Sequence, residues 1–472
     1  MTAKELGKFE LKTRINKLTI KAFRGFENEI SIDFDKNLTV LIGVNGSGKT
    51  TLLDAIAGLL IFVPEQLLGK GSDTSEFFNS MDINNTKKNL TSNIELSLLL
   101  DYPILEIEVE QGEEIKENWR LIENYRFDRK YKITPKSHDE VIIDEYSDED
   151  FIDGNMNFTA TLKTSFGEWL SISNNVALPI FAYYTIGRID RKSNTNQNNF
   201  AENDILSNYK RNELSKNSFN FETLQKWFAL EKILTLTKKD RNTRVKSKDK
   251  KILDQVEEAV LKMINDEENT YSKIDVEWNE HTPEGELVFK KGKSLLRYSQ
   301  MSAGEKTMIA LVADLARQIT IANPNATKPL EVGTGVVLID EIDLHLHPKW
   351  QSRVVVILRE LFPNIQFVIT THSPLILNHI PSKYIRSIEN GNIYGVIETY
   401  GQEVGTVLEN IMQLDESSKY RQEFEKIYDL MRLNKISEAK NMVDDLAIKI
   451  EGKHPEVLKL HNLLRKKELL KR

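Results

Sequence analysis

Two kinds of apolar pattern run along the chain. Residues 38–43 (LTVLIG), 336–339 (VVLI) and 365–370 (IQFVIT) are short unbroken apolar runs, the pattern of strands covered on both faces in a parallel sheet. Residues 18–23 (LTIKAF) and 30–34 (ISIDF) instead alternate apolar and polar positions, which predicts a pair of strands leading into the 38–43 strand. Short alternating runs continue through residues 90–185, among them 104–109 and 119–122, and predict an antiparallel β-region. Helical spacing follows several of the strands: Leu52, Leu53, Ile56 and Leu60, then residues 309–319 (IALVADLARQI), then 350–361 (WQSRVVVILREL) with Pro348 at its start. Residues 219–264 also read as helical, interrupted at 237–251. After Thr399 the apolar positions fall on helix faces: Phe424, Ile427 and Met431, then Ile436, Ala439 and Val443, then Val457, Leu460, Leu463 and Leu464 beyond Pro455.

The expected fold is therefore α/β, a parallel-sheet core with an antiparallel β-region, a helical insertion and a helical C-terminal tail. Four segments are expected: 1–200 and 271–398 as two lobes of one catalytic head, 201–270 as a helical insertion with a basic loop, and 399–472 as the tail. Residues 192–199 (KSNTNQNN) supply a polar linker.

Composition narrows the chemistry. The chain has 472 residues, a net charge of −7 and no cysteine, so disulfides and thiolate metal sites are excluded. The run at 52–63 contains Asp54 and is shorter than the roughly 18 residues of a membrane helix. The opening MTAKELGKFELKTR has no apolar signal-peptide core. A cytoplasmic protein without membrane contact is expected.

The strand at 38–43 ends in GVNGSGKTT, and a helix follows. Strand, glycine loop and helix N-terminus in that order form a phosphate cradle, in which backbone N–H groups and the helix dipole face an anion. Gly43, Asn45, Gly46, Ser47, Gly48, Lys49, Thr50 and Thr51 are the candidate ATP-binding residues, with Lys49 on the β- and γ-phosphates and the Thr50 hydroxyl on Mg²⁺. Arg24, in the turn between the two alternating runs, is either near the nucleotide or a solvated turn arginine.

The second candidate is LIDEIDLHLHPKWQ, residues 338–351. Asp340 and Glu341 stand at the C-terminal end of an expected central strand, where ligands bind in open α/β sheets. Asp340 is expected to hold Mg²⁺, and Glu341 to activate the attacking water. His345 and His347 could pair on a zinc ion, but imidazole suits Mg²⁺ poorly, and a structured loop accounts for them as well. His372, just past the 365–370 strand, can contact a γ-phosphate or the water. MSAGEKTM, residues 301–308, opens a helix with Ser302, Ala303, Gly304 and Glu305, a second phosphate-binding feature. One nucleotide does not need two cradles, so a dimer is expected in which this one closes on the ATP held by the other subunit.

GVNGSGKTT, MSAGEK, VVLIDEID and TTHSP together resemble the Walker A, signature, Walker B and switch histidine of the soluble ABC-type ATPases, the branch of the SMC, RecF and OLD proteins. The opening LTIKAFRGFEN is similar to that branch's first strands. VADLARQITIANP, LIDEIDLHLHPKWQ and FPNIQFVITTHSP further resemble the ATPases of Septu anti-phage systems and of some retrons. The resemblance implies ATP and Mg²⁺ as ligands, a homodimer or higher homo-oligomer, and a small HNH nuclease partner. A DNA-repair ATPase of RecF or SMC type acting directly on DNA is the alternative. The signature departs from the common Ser-Gly-Gly-Gln at Ala303 and Glu305. No Q-loop glutamine is evident: Gln66 comes too early, and residues 182–184 before Gly187-Arg188 only mark where such a loop would lie.

Residues 237–251 (TKKDRNTRVKSKDKK) have Asp240 and Asp249 as their only acids and read as a nucleic-acid contact or as a solvated loop. No heptad pattern persists, which argues against a long coiled coil. No nuclease constellation is present in the chain, and the C-terminal helices are expected to dock the partner.

Overall fold

The computed structural model describes residues 12–61, 63, 78, 82–83, 91–109, 115–135, 141–147, 177–185, 225, 227–232, 247–266, 270–278, 285–402, 407, 421–433, 435–449 and 455–469. Strands β1 (Lys12–Lys21), β2 (Ile30–Asp33) and β3 (Leu38–Ile42) precede helix α1 (Lys49–Leu60). Strands β4 (Ser92–Val109), β5 (Ile115–Pro135), β6 (Val141–Ser147) and β7 (Ile180–Tyr184) follow, then helix α2 (Ser247–Ile264) and strands β8 (Tyr271–Trp278), β9 (Gly285–Lys291) and β10 (Ser294–Arg297). Helices α3 (Ala303–Ala322) and α4 (Pro329–Val332) lead to β11 (Gly335–Ile339). Then come α5 (Pro348–Gln351), α6 (Val354–Leu361), β12 (Ile365–Thr370), α7 (Pro374–Leu377), β13 (Ile385–Glu389) and β14 (Asn392–Gly395). Helices α8 (Arg421–Arg432), α9 (Ile436–Lys449) and α10 (Pro455–Leu469) complete the set.

The central sheet has the order β14-β13-β3-β12-β11-β7, parallel throughout except for the β13–β14 hairpin. Strands β3, β7, β11 and β12 are buried at every position, as their unbroken apolar runs require in a sheet covered on both faces. A second sheet, β2-β1-β4-β5-β6, is antiparallel, and β8–β10 form a small antiparallel sheet of their own. Ile15, Leu18 and Ile20 of β1 share one core with Leu52, Leu53 and Ile56 of α1 and with Val336 and Leu338 of β11. Helix α1 thus lies between the two sheets, which sets the loop before it at the C-terminal edge of the parallel strands.

Three features differ from the sequence pattern. Strand β7, at the end of the stretch expected to be antiparallel, pairs in parallel with β11 and belongs to the central sheet. Helix α2 begins at Ser247, inside the basic stretch, whose residues 237–246 lie outside the described residues. The alternation of β1 changes phase at a bulge between Ile15 and Lys17. The Gln366 side chain of β12 bridges to the main chain of Ile15 there, accepting from its N–H at 2.7 Å and donating to its carbonyl at 2.8 Å.

Contacts divide the chain into Met1–Val407 and Leu408–Arg472. In the second unit α8 packs on α9 and α9 on α10 around Ile427, Met431, Ala439, Val443, Leu446, Leu460 and Leu464. Among the described residues no helix is long and apolar enough to cross a membrane.

Candidate functional site

The loop between β3 and α1 is built on glycine. Gly48 has φ 105°, and a Cβ there would run into the Phe26 ring. A Cβ on Gly43 would lie 2.5 Å from the Ile388 carbonyl and 2.6 Å from Ser47 Oγ. The main chain therefore packs where a side chain would otherwise intrude. Gly48 is also the N-cap of α1, without a side-chain cap and with no acid in the first turn, so the helix N-terminus keeps its donors and its positive end for an anion. Lys49 Nζ folds back to donate to the Gly43 carbonyl at 2.9 Å and the Val44 carbonyl at 3.1 Å. Burial lowers its pKa against the pull of Asp340, Glu341 and Asp343. Ser47 Oγ is buried in the loop with no hydrogen-bond partner. An orphaned hydroxyl, a lysine resting on carbonyls and an uncapped helix end are the donor set that fits a nucleotide polyphosphate.

Strand β11 delivers Asp340 and Glu341 to the same edge. Thr50 Oγ1 donates to Asp340 Oδ2 at 2.9 Å, and Thr370 Oγ1, at the end of β12, donates to Asp340 Oδ1 at 2.6 Å. The Glu341 N–H in turn donates to Thr370 Oγ1 at 2.6 Å. This chain of three bonds runs across α1, β11 and β12. Thr50 and Asp340 present oxygens side by side, the donor type a hard divalent cation takes, so the residues fit Mg²⁺. Glu341 sits at φ 47°, a left-handed conformation a glutamate rarely holds unless its surroundings enforce it. Burial raises its carboxyl above the ordinary glutamate range, Asp340 and Asp343 push the same way, and Lys49 opposes them.

Asp343 organises the segment that follows β12. Its Oδ1 accepts from Thr371 Oγ1 at 2.6 Å and from the His372 N–H at 3.1 Å. Ser373 donates to Gln351 Oε1 at 2.7 Å and caps α7 through the Ile376 N–H. Burial lowers the His372 pKa, Lys49 adds to the shift, and Asp343 and Asp340 pull against it, so the imidazole is neutral near pH 7. His347 is the N-cap of α5, its Nδ1 accepting from the Lys349 N–H at 3.3 Å. Among the described residues no group of three His, Asp or Glu side chains is arranged to hold a metal by itself.

Ser302, Ala303, Gly304 and Glu305 open α3. Ser302 Oγ accepts from the Glu305 N–H at 3.3 Å, while the Glu305 carboxylate accepts from the Ser302 N–H at 2.9 Å and from its hydroxyl at 2.8 Å, a complete capping box. Ala303 is not among the residues with positive φ, so the alanine fits the turn. A Cβ on Gly304 would lie 2.5 Å from the His345 carbonyl. The signature turn therefore rests directly on the loop that follows Glu341, a contact the sequence pattern did not announce.

Arg24 is not a solvated turn residue. At φ 48°, its guanidinium binds Asp54 of α1 at 2.5 Å and Asp82 at 2.6 Å. These pairs raise its pKa although burial works against them. Asp54 also accepts from the Tyr183 hydroxyl at 3.0 Å. Its neighbour Tyr184 donates to Asp314 of α3 at 2.7 Å, and Gln318 Nε2 donates to the same oxygen at 2.8 Å. Sequence reading gave no site role to Asp54, Asp314 or Thr370, took Asp343 only as a possible metal ligand, and used Tyr183 and Tyr184 only to mark where a Q-loop would lie. Acids within otherwise apolar helix faces, Asp54 and Asp314, were the available signal.

Residues 38–378 match the family model described as AAA domain, putative AbiEii toxin, Type IV TA system. The chain is 27% identical over 490 residues to the Retron Ec83 probable ATPase of Escherichia coli, covering 90% of this chain and 82% of that protein. It is 29% identical over 411 residues to the Retron Vc95 probable ATPase of Vibrio cholerae, covering 80% and 74%. The Septu protein PtuA of Bacillus thuringiensis is 30% identical over 179 residues, covering 34% and 44%. Among solved structures, an Smc head bound to the C-terminal winged-helix domain of ScpA aligns over 81% of this chain and 98% of that chain, with a TM-score of 0.42 and 18% identity.

Proposed function

The chain belongs to the AAA-domain family described as putative AbiEii toxin, Type IV TA system, and is an ATPase; from that premise we propose that it is the ATP-controlled regulatory subunit of an anti-phage defence complex. The names of its retron and Septu relatives support the defence context. The observation that carries the reading is the bonded chain Thr50–Asp340–Thr370–Glu341, which ties the phosphate loop to a poised carboxylate.

Lys49 and the loop N–H groups bind the phosphates, exchanging the lysine's bonds to Gly43 and Val44 for phosphate oxygens. Thr50 and Asp340 would hold Mg²⁺, which would supply positive charge beside the phosphates. Glu341, its basicity raised by burial, orients the attacking water and accepts its proton. His372, whose main-chain N–H is held by Asp343, donates from its ring toward the γ-phosphate. Ser302, Ala303, Gly304 and Glu305 close on nucleotide bound to a second copy, so assembly completes the site. The assembled state then controls a separately encoded nuclease, of HNH type by resemblance, docked through α8–α10.

The test is Glu341→Gln. Turnover is expected to fall by about 10²–10⁴-fold, with ATP binding retained and an ATP-loaded assembly trapped; unchanged turnover would sink the assignment. Wild-type turnover should lose activity with falling pH above the ordinary glutamate range, because Glu341 protonates early. Affinity capture of the Glu341→Gln protein from its native host with ATP, read by mass spectrometry, should recover a small nuclease. Recovery of DNA without a protein partner would instead favour a RecF-like ATPase acting on DNA.

A further inference from the structure

Strand β7 reaches three functional elements at once. Consecutive residues of a strand point to opposite faces, and Tyr183 and Tyr184 use this to bond helices on the two sides of the central sheet. The Tyr183 hydroxyl donates to Asp54 of α1 at 3.0 Å, and the Tyr184 hydroxyl donates to Asp314 of α3 at 2.7 Å. Between them, the Tyr184 carbonyl accepts the Asp340 N–H at 2.8 Å, so the strand also carries the backbone of the metal-site carboxylate. Both tyrosines and both aspartates are buried. A buried hydroxyl–carboxylate bond is directional and costly to leave unmade, which makes each tyrosine a linkage rather than mere filling.

The geometry suits transmission. Asp54 lies six residues beyond Gly48, about 9 Å along α1, and Asp314 lies twelve beyond Ser302, about 18 Å along α3. Among the described residues β7 is the outer strand of its sheet, paired in parallel with β11, which itself ends in Asp340. The other end of the linkage is braced: Arg24 holds Asp54, and Gln318 holds Asp314.

We propose that Tyr183 and Tyr184 are positioning residues that couple the phosphate-loop helix to the signature helix, so that nucleotide taken up by one copy sets the α3 N-terminus it offers to the next. This rests on the function proposed above. Without the Tyr184 hydroxyl, each subunit binds ATP as before but presents α3 out of register.

The experiment compares wild type, Tyr184→Phe, Tyr183→Phe, the double variant, Asp314→Asn and Asp314→Ala. It measures ATP affinity by calorimetry under conditions that keep the protein dissociated, then kcat and ATP-dependent self-association. Tyr184→Phe should keep its ATP Kd within about twofold while kcat and association fall about tenfold, the scale of a typical coupling between sites. Asp314→Asn, which keeps an oxygen to accept from Tyr184, should stay near wild type, whereas Asp314→Ala should match Tyr184→Phe. The double variant should lose no more than the worse single one, since both hydroxyls serve one linkage. Packing alone would lower thermal stability and leave kcat of the folded protein unchanged. Unchanged kcat and association in both Tyr184→Phe and Asp314→Ala overturn the coupling. Failure of wild type itself to turn over ATP or to associate with it would instead remove the function on which the coupling rests.

Discussion

Helices α1 and α3 each open at a candidate phosphate-binding turn, and their N-termini are finished in opposite ways. Helix α1 begins at Gly48, with no side-chain cap and no acid in its first turn. Helix α3 begins at Ser302 inside a full capping box, with the Glu305 carboxylate bonded to the Ser302 N–H and hydroxyl. Both ends carry the positive pole of a helix dipole. Only α1 leaves it free, at a local cost of a few tenths of a kcal/mol for glycine in place of serine. Helix α3 already has an anion, supplied by its own chain. The one is preorganised for phosphate; the other is stable by itself, with its Ser302 and Glu305 N–H groups already bonded, and meets a phosphate against the charge of Glu305. Such an order of events suits a site in which nucleotide binds first to α1 and is met afterwards by α3 of another copy.

The largest effect should come from emptying the first terminus of its lysine. Lys49→Ala removes a charge-assisted donor, and ATP affinity measured by calorimetry should fall by about 100-fold. Retained affinity would mean that the open N-terminus of α1 is not the phosphate site, and the contrast with α3 would lose its meaning. Next in size is Gly304→Ala. The added Cβ must push the His345 carbonyl from 2.5 Å, and overpacking of this kind costs about 1–3 kcal/mol. The thermal midpoint should drop and ATP-dependent association should weaken, with affinity of the isolated subunit for ATP preserved. Weakening of both ATP binding and association together would show that the two termini are not separable.

The contrast also explains what the sequence could disclose. Gly43–Thr51, Asp340–Glu341, His372 and Ser302–Glu305 each lie at a strand end or helix start within one contiguous segment, so their placement follows from local order alone. The tail helices were legible for a similar reason: spacing that puts Ile427 and Met431, or Ala439 and Val443, on one face also buries them. Pairings between distant segments were not. Ile180–Tyr184 is as unbroken and apolar as Gly335–Ile339, but nothing local says that these strands lie side by side. The bulge in β1 is met by Gln366, far along the chain, and Arg24 finds Asp54 and Asp82 across separate segments. The fit of Gly304 to the His345 loop was hidden likewise, because a glycine in a turn announces its own freedom and not what approaches it.

The smallest expected effect is the most pointed. Glu305→Gln keeps a side-chain oxygen that can accept from the Ser302 N–H, so the capping box survives and the fold should lose little. What disappears is the negative charge at the helix end. A charge in that position interacts with the dipole by about 0.3–1 kcal/mol, and the same charge opposes an incoming phosphate. The two consequences have opposite signs. The isolated protein should be slightly less stable, while ATP-dependent association, measured by light scattering, should tighten by about two- to fivefold at low salt and less at high salt. Ser302→Ala, which removes the hydroxyl and keeps the Glu305 charge, should weaken both stability and association, and so separates the loss of a cap from the loss of a competing anion. Association unchanged in Glu305→Gln would mean that the carboxylate meets no incoming phosphate, and the α3 terminus would then be a finished helix end rather than the second half of a nucleotide site.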